Sequence, residues 1–418
     1  MAAETALLPR RVVITGASVA TALGFDLDTF WANLVAGRCG ISRVPHLPAD
    51  SPLPVQHAGC IADAELEAAA QRLNVDDPDR ANQLALIAVG AALQHAGWPT
   101  DGQTDLPHDL VLGTGHGNGA YTNEAMKTFT EGGYRKLRPT TVVRSMFNRP
   151  ANVSSIRFRL TGSSFVVSCA CATGSIALGD AFLRVRFGLT DHAVAACSDH
   201  GLDLPTFSAW NRLGVLSKIP DPARACRPFD TGRDGFVMGE GAAGFVLESL
   251  ESARARGARI LAEVAGYGST CDARHIVVPD SAQQVRAIQK ALTMAGIDPA
   301  QVGYVNAHGT GTDIADVVEA ATLRTALGEA VDRIPVTNTK AQLGHLMGAT
   351  AGVETVTSLL VLQHGLIPAC QNLDEPDPRC PLRFVRGEPL AARPEFVLKN
   401  SFAFGGTNCA LILHRWCE

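Results

Sequence analysis

An internal repeat is the feature of this sequence that most restricts its fold. The segment ALQHAGW at 92–98 is echoed by ALTMAGI at 291–297. Each copy is followed by an apolar strand with a Gly- and Thr-rich end, at 111–115 and 305–311, and then by a helix and a buried strand that turns into a helix. We therefore predict two similar α/β halves with mostly parallel sheets, packed in layers with helices. We place them at residues 1–255 and 256–418.

Composition and charge exclude several classes of function. The chain has 418 residues, a net charge of −5 and no run of basic residues, so nothing indicates a nucleic-acid or membrane-surface partner. No apolar stretch is long enough to span a bilayer, and the run that starts at Val12 is too short for a signal peptide. The eleven cysteines lack CxxC pairs and metal-ligand spacing, which indicates reduced thiols in a cytoplasmic protein and no metal site.

One cysteine lies at a predicted strand-to-helix turn. VVSCACATGS at 166–175 runs from a β-branched strand into small residues, and the helical segment IALGDAFL follows at 176–183. Unpaired N–H groups and the helix dipole stabilise a thiolate at the start of a helix, so we expect a lowered pKa and a nucleophilic Cys171. The simpler interpretation, a small buried hydrophobic residue, describes most lone cysteines.

Two histidines in the second half favour the interpretation of Cys171 as a nucleophile. His308 lies in NAHGTGT at 306–312 and His345 in KAQLGH at 340–345, both in glycine-flanked turns after predicted strands. Ligands of such sheets bind beyond the carboxyl ends of the strands, where loops of both halves converge. We therefore expect the two imidazoles near the cysteine. There they donate hydrogen bonds to a developing oxyanion or exchange a proton with the thiol.

These motifs together resemble those of the β-ketoacyl-[acyl carrier protein] synthases of the elongating, Cys-His-His type. The resemblance extends to RPFD at 227–230, RDGFVMGEG at 233–241 and NSFAFGGTN at 400–408, and it covers nearly the whole chain in order. It implies the thiolase fold, whose duplicated halves agree with the internal repeat. Three departures suggest a type II polyketide or polyene pathway rather than housekeeping fatty-acid synthesis.

The resemblance implies a decarboxylative Claisen condensation. Cys171 would accept an acyl chain as a thioester, and His308 and His345 would bind malonyl-acyl carrier protein and stabilise the enolate left by decarboxylation. The enolate would then attack the acyl group and lengthen it by two carbons. No bound cofactor is implied, because the substrates are carried on the phosphopantetheine of acyl carrier protein.

The resemblance also assigns supporting residues. The backbone N–H groups of Cys171 and Phe404 would form the oxyanion hole, and Phe404 would act as a gate. Lys340 would belong to the catalytic group and, with Glu354, would orient His345. A buried ammonium needs a counter-charge, for which Glu354 is the first candidate and Asp316 and Glu319 are the alternatives. The remaining substrate-binding positions are Thr310, Thr312, Phe402, Gly405 and Gly406.

The departures from the family pattern concern the gate and the partners. Ala403 stands where elongating enzymes usually have glycine, which predicts a stiffer loop. The segment 65–72 is acidic where fatty-acid enzymes carry basic residues that dock the carrier protein, and FNRP at 147–150 is unusual at the family's dimer contact. Docking is therefore expected at other basic residues, namely Arg135, Lys136, Arg138, Arg212 or Lys218. The expected assembly is a homodimer, or a heterodimer with a ketosynthase-like chain-length factor.

Three other functions remain to be weighed. A non-catalytic, chain-length-factor-like subunit usually lacks the cysteine that this chain retains as Cys171. A thiolase or a starter-type synthase acting on coenzyme A has a second cysteine or an asparagine in place of His345. A cysteine hydrolase would use Cys171 and one histidine, and it would leave Lys340 and the phenylalanine loop unexplained. His116, His200 and His275 fit no step of the condensation and are interpreted as structural or loop residues.

Overall fold

A computed structural model describes residues 9–417, so the first eight residues of the first predicted half and Glu418 lie outside the described part. Its strands are β1 Val12–Ala20, β2 Ile41–Arg43, β3 His57–Gly59, β4 Asp109–Gly113, β5 Ser164–Val167, β6 His192–Asp199, β7 Gly241–Ser249, β8 Ala262–Cys271, β9 Val302–Asn306, β10 Val336–Thr337, β11 Leu366–Ile367, β12 Leu390–Ala391, β13 Phe396–Phe402 and β14 Thr407–Arg415.

The helices alternate with these strands. They are α1 Leu27–Val35, α2 Asp63–Arg72, α3 Arg80–His95, α4 Gly119–Gly132, α5 Thr141–Ser145, α6 Arg149–Phe158, α7 Thr173–Arg186, α8 Leu204–Leu213, α9 Pro222–Ala225, α10 Leu250–Ala255, α11 Ser281–Ala295, α12 Asp313–Leu327, α13 Lys340–Leu343 and α14 Thr350–His364. Among residues 9–417, no helix combines the length and apolar character that crossing a membrane requires.

Ten strands form one sheet, and its order displays the duplication. The order is β10-β9-β13-β14-β8-β1-β7-β6-β4-β5, so the five strands on one side of the β8–β1 junction repeat the five on the other side in mirrored order. In both halves the outer three strands are parallel and the inner ones antiparallel. The α/β class and the two similar halves are confirmed, and the parallel pairing is concentrated where the catalytic turns follow.

Helices pack outside and between the two halves of this sheet, so that helices and half-sheets form five layers in total. Helix α3 packs on the outer face of β1, β6 and β7, and α11 packs on the outer face of β8 and β14. Helices α7 and α14 contact each other and strands of both halves, so they form the central layer. Gly174 and Gly352 lie where these helices cross, and a Cβ on Gly174 would be 2.5 Å from the backbone nitrogen of Gly352. Glycine is therefore required for this close approach.

The two central helices begin in the same way. A single 3-10 turn precedes each of them, Ala170–Ala172 before α7 and Met347–Ala349 before α14. The first residue of each turn has a left-handed backbone, with φ +46° at Ala170 and +48° at Met347. Cys171 in the first half therefore corresponds to Gly348 in the second. The duplicated scaffold presents a nucleophile on one side only.

Candidate active site

The turn that carries Cys171 is strained and tightly held. A positive φ is unfavourable for a residue with a Cβ, so the left-handed Ala170 indicates a turn that the surrounding structure enforces. The Thr173 hydroxyl accepts a hydrogen bond from the Cys169 N–H at 2.8 Å and donates one to the Ala170 carbonyl at 2.7 Å. The Cys171 side chain is thereby directed into a cavity between the halves, where it is buried.

Burial governs the acidity of Cys171. It raises the pKa of the thiol to about 11, while the charge of Lys340 and the backbone N–H groups of Phe404 and Cys171 act in the opposite direction. The lowered pKa expected from the helix terminus is therefore wrong for the free protein, because removal from water outweighs the local donors. Those two donors are nevertheless the N–H groups that the sequence analysis assigned to an oxyanion hole.

Both predicted histidines meet the cysteine. One donor atom from each of Cys171, His308 and His345 lies within 4.8 Å of the other two. The two imidazole rings are nearly perpendicular, with an interplanar angle of 84° and centroids 5.7 Å apart. Turns from both halves of the sheet therefore converge on one point, as the parallel-sheet argument predicted.

The tautomer of His345 follows from its hydrogen bonds. Its Nδ1 accepts from the Met347 N–H at 3.2 Å and lies 2.8 Å from the Thr350 hydroxyl, whereas its Nε2 is buried without a partner in the described residues. A neutral His345 therefore carries its proton on Nε2. Burial, together with the positive charge of Lys340, lowers the pKa of His308 and His345 well below the usual value. Both rings are neutral hydrogen-bond donors at physiological pH.

Lys340 contacts Glu354 and supports the turn of His308. Its Nζ is 2.6 Å from Glu354 Oε1 and also donates to the His308 carbonyl oxygen, and neither charged side chain is accessible to solvent. An ammonium group without solvent needs such a partner. Lys340 therefore fixes the backbone that carries one catalytic imidazole.

Asp316 and Glu319 have a different role from the one predicted. Within residues 9–417, no ion pair joins either carboxylate to Lys340. Asp316 accepts the N–H groups of Phe229, Thr310 and Gly311 at 2.7, 2.9 and 3.1 Å. Glu319 accepts those of His308 and Gly309, both at 2.7 Å.

Of the three candidate partners, Glu354 pairs with Lys340, and neither Asp316 nor Glu319 does so within residues 9–417. Both of these other carboxylates lie on α12. Backbone N–H groups of the loop that follows β9 donate hydrogen bonds to the carboxylate oxygens. Burial raises the pKa of Asp316 to about 6, although these donors and Arg233 oppose the shift. What they hold in place is the turn of residues 308–311.

The loop that carries Phe404 is the connection between β13 and β14. Gly405 and Gly406 have φ +84° and +81°, and a Cβ on Gly406 would be 2.7 Å from the Cβ of Asp272. The Gly405 N–H donates to the Ile276 carbonyl at 2.7 Å, which joins this loop to the mouth of the cavity. Ala403 has no positive φ, so its methyl group fits the loop without backbone strain.

The other predicted substrate positions line the same cavity. Thr310 and Thr312 have hydroxyl oxygens 2.9 Å apart, and the Phe402 ring centroid is 6.2 Å from that of His308. Gly406 also borders the cavity, whereas Gly405 is exposed beside it. The apolar segment Ile276–Val278 and Trp210 form the outer wall, which the sequence analysis did not assign.

Three further histidines lie outside the reacting centre. His116 pairs with the buried Asp199 at 3.0 Å, and His200 pairs with Glu240 at 2.7 Å. His275 borders the cavity mouth and accepts backbone N–H groups of its own loop. His116 and His200 thus have structural partners, and His275 stabilises a wall of the cavity.

Sequence reasoning missed Lys399. This lysine lies in β13 immediately before the NSFAFGGTN motif, and it is completely buried. Its Nζ is 2.9 Å from Glu354 Oε2, the carboxylate oxygen that Lys340 does not contact. A signal was present, because a lysine within a β-branched and aromatic strand is unusual unless it has a buried partner.

The charges of the centre suit an anion better than a metal cation. Thiol and imidazole donors at this spacing are the types that bind zinc. The positive charges of Lys340 and Lys399, however, reach both imidazoles and raise the cost of adding a dication. Neutral N–H donors, a thiol and two buried ammonium groups together favour a reaction that passes through negatively charged species.

Comparisons with known proteins agree with this geometry. The family described as "Beta-ketoacyl synthase, N-terminal domain" matches residues 9–253, and "Beta-ketoacyl synthase, C-terminal domain" matches residues 261–374. A 3-oxoacyl-[acyl-carrier-protein] synthase 2 of Synechocystis sp. is 34% identical over 410 residues, which cover 97% of this chain and 98% of that protein.

Two solved structures share the whole fold. The ishigamide ketosynthase/chain length factor has a TM-score of 0.90 and 33% identity, covering 98% of this chain and 100% of the other. A type II PKS acyl-carrier protein in complex with its ketosynthase matches with the same TM-score and coverage at 28% identity. The chain therefore belongs to the β-ketoacyl synthase family.

Proposed function

We propose that this protein is a chain-elongating β-ketoacyl-[acyl carrier protein] synthase, an acyltransferase that condenses an acyl-enzyme with malonyl-acyl carrier protein. The observation that carries the proposal is the meeting of the Cys171 thiol with two neutral imidazoles within 4.8 Å. The relatives named 3-oxoacyl-[acyl-carrier-protein] synthase 2 support the same reaction. Residues 1–255 supply the nucleophile, and residues 256–418 supply both histidines.

The first half-reaction loads Cys171. Its sulfur adds to the carbonyl of an acyl thioester on a carrier-protein phosphopantetheine, and the backbone N–H groups of Cys171 and Phe404 stabilise the resulting oxyanion. The pantetheine sulfur then leaves and takes the thiol proton, so the acyl chain remains on Cys171. No bound cofactor takes part, because the carrier's phosphopantetheine delivers the substrate.

The second half-reaction makes the new carbon–carbon bond. His308 and His345 donate hydrogen bonds to the malonyl thioester oxygen, and loss of CO₂ leaves an electron pair as an enolate on that oxygen. The enolate carbon attacks the acyl carbonyl, and the carbon–sulfur bond to Cys171 breaks. The product is a β-ketoacyl chain on the carrier protein, longer by two carbons, and Cys171 regains a proton.

The cavity wall suits the pantetheine arm and a gate. Thr310 and Thr312 offer hydroxyl groups along the approach to the histidines. Phe404 lies on the glycine-containing loop and lines the same cavity as Cys171, where a swing of the loop would open the acyl site. Gly405 and Gly406 provide the backbone freedom for that movement.

Carrier protein and a second ketosynthase-like subunit are the proposed partners. β5 is one of the two edge strands of the ten-stranded sheet, and exposed apolar side chains lie on the neighbouring α5–α6 segment, including Val142, Phe147 and Ile156. An uncovered strand edge beside an apolar patch favours burial against another subunit. The likeness to a ketosynthase/chain length factor and to a type II PKS carrier-protein complex supports a polyketide role and a heterodimer with a chain-length factor. A polyene pathway and a homodimer remain the alternatives within the proposal.

A non-catalytic, chain-length-factor-like subunit is the second candidate. The likeness to the ishigamide ketosynthase/chain length factor is the observation that favours it. The strained turn at Ala170 counts against it, because a silent subunit has no need to present a thiol to two neutral imidazoles.

Intact-protein mass spectrometry separates the two candidates. The protein is incubated with a panel of acyl-carrier thioesters, alone and with candidate partner subunits, in parallel with Cys171→Ala. A mass gain equal to the acyl group that disappears in the variant is the expected result, and the preferred chain identifies the pathway. Absence of an adduct under every condition would reject the condensing enzyme and favour the silent subunit.

The neutral histidines predict a particular pH profile. Because their pKa values are held well below about 6.5, both rings stay neutral above that depressed range and become charged only as the pH falls through it. Malonyl-acyl carrier protein decarboxylation should therefore show no acid-side loss centred near pH 6.5. The rate of CO₂ release between pH 5 and 8 measures this. A half-maximal rate near pH 6.5 would contradict it.

A further inference from the structure

Lys399 is a completely buried lysine that the condensation steps above do not use. It lies in the middle of β13, whose seven residues are all buried. Its Nζ is 2.9 Å from Glu354 Oε2 and 3.0 Å from the Ser401 hydroxyl oxygen, and it also donates to the Asn400 carbonyl. Removing an ammonium group from water is costly, so burial lowers the pKa of Lys399, and the charge of Glu354 opposes that shift only in part.

Two lysines share one carboxylate at this point. Lys340 contacts Glu354 Oε1 at 2.6 Å, and Lys399 contacts Oε2 at 2.9 Å. Glu319 accepts the N–H groups of His308 and Gly309, and its charge reaches Lys399 without forming an ion pair among residues 9–417. The group of Lys340, Glu354 and Lys399, here called the buried charge triad, has two lysines and one carboxylate.

The buried charge triad touches the supports of both catalytic turns. Lys340 donates to the His308 carbonyl, on the histidine side. On the other side, Ser401, which contacts Lys399, has its hydroxyl oxygen 2.9 Å from that of Ser175 in the first turn of α7. That turn begins two residues after Cys171. Lys399 is thus linked through Ser401 and Ser175 to the helix that follows Cys171. Through Glu354 and Lys340 it is linked to the backbone of His308.

We propose that Lys399 is a positioning residue which, with Lys340 and Glu354, holds a net positive charge beside the catalytic centre and thereby favours the anions formed during condensation. These anions are the enolate, the tetrahedral oxyanion and the released thiolate. The inference rests on the proposed condensation. The charged groups around the imidazoles are Lys340 from α13, Glu354 from α14, Glu319 and Asp316 from α12 and Lys399 from β13, with the His116–Asp199 pair further away. Burial is the main cause of the lowered pKa values of both imidazoles, and the charges of Lys340 and Lys399 lower them further.

A structural role and this electrostatic role predict opposite effects on stability. If Lys399 only holds the fold together, its removal unfolds the protein at lower temperature and leaves each folded molecule active. If it maintains an excess buried charge for catalysis, its removal leaves the Lys340–Glu354 pair balanced. The folded state then loses an ammonium group that was costly to bury.

The test uses Lys399→Met, which preserves most of the side-chain length, and Lys399→Gln, which keeps a hydrogen-bond donor without the charge. For both variants we expect kcat for malonyl-acyl carrier protein decarboxylation to fall at least about tenfold, with KM within about twofold of wild type. The thermal midpoint should be unchanged or higher. Lys290→Met, which replaces an exposed lysine on α11, should leave all three quantities unchanged.

Each other outcome has a defined meaning. Wild-type kcat in Lys399→Gln would show that the charge is not needed and would overturn the proposal. A lower thermal midpoint with unchanged kcat per folded molecule would assign Lys399 a structural role and would also overturn it. The comparison requires a wild-type protein that releases CO₂. Inactivity of the wild type would instead count against the proposed condensation.

Discussion

Replacement of His345 by alanine is expected to slow malonyl-acyl carrier protein decarboxylation about 10²- to 10³-fold, while Cys171 still becomes acylated. The reason is the fixed tautomer of His345, whose Nδ1 is occupied by Met347 and Thr350 and whose Nε2 is free to donate. Removal of one preorganised donor to a developing oxyanion has an effect of this size. Acyl transfer relies on the N–H groups of Cys171 and Phe404, which the substitution leaves in place.

The measurement pairs two assays on one protein preparation. Release of CO₂ from malonyl-acyl carrier protein reports on the histidines, and the acyl mass adduct reports on Cys171. His364→Ala is the matched control, because His364 stacks on Trp31 at the end of α14, outside the catalytic cavity. An equal loss of adduct and CO₂ release in His345→Ala would contradict the assignment of acylation to Cys171 and of decarboxylation to the histidines.

Much of this site was predictable from local pattern. The strand-to-helix turn at Cys171 and the glycine-flanked turns of His308 and His345 were each placed beyond the carboxyl end of a strand, where loops of both halves can converge. That inference needed only the order of elements and the chemistry of a few side chains. Glu354 was named as a candidate partner of Lys340 through the family resemblance.

The errors concern quantities that depend on packing between the halves. The pKa of Cys171 was expected to be low because a helix terminus is local, whereas burial raises it, and α14, β13 and β14 of the second half pack against this turn. Asp316 and Glu319 were named as alternative partners of Lys340 by their charge alone, because the sequence does not show which way a carboxylate points. In the fold, α12 aims both carboxylates at backbone N–H groups of the loop above. Lys399 became visible only when β13 was placed beside α14.

The largest effect on stability is expected from Glu354→Gln. This substitution keeps the shape of the side chain but leaves Lys340 and Lys399, both inaccessible to solvent, without their carboxylate. Breaking a buried pair by removing one partner costs about 3–5 kcal/mol, and here two cations lose the same counter-charge. We therefore expect the free energy of unfolding to fall by at least about that amount, as measured by denaturant titration.

Combination with Lys399→Met provides the sharper test, since it removes one of the two unpaired cations. Lys399→Met should restore more stability to Glu354→Gln than it adds to the wild-type protein, which is a coupling that independent sites do not show. Asp332→Asn is the control, because its pair with Arg324 is exposed and should contribute at most about 1 kcal/mol. If the double variant is as unstable as the single one, the two lysines do not compete for Glu354, and the buried charge triad is not an electrostatic unit.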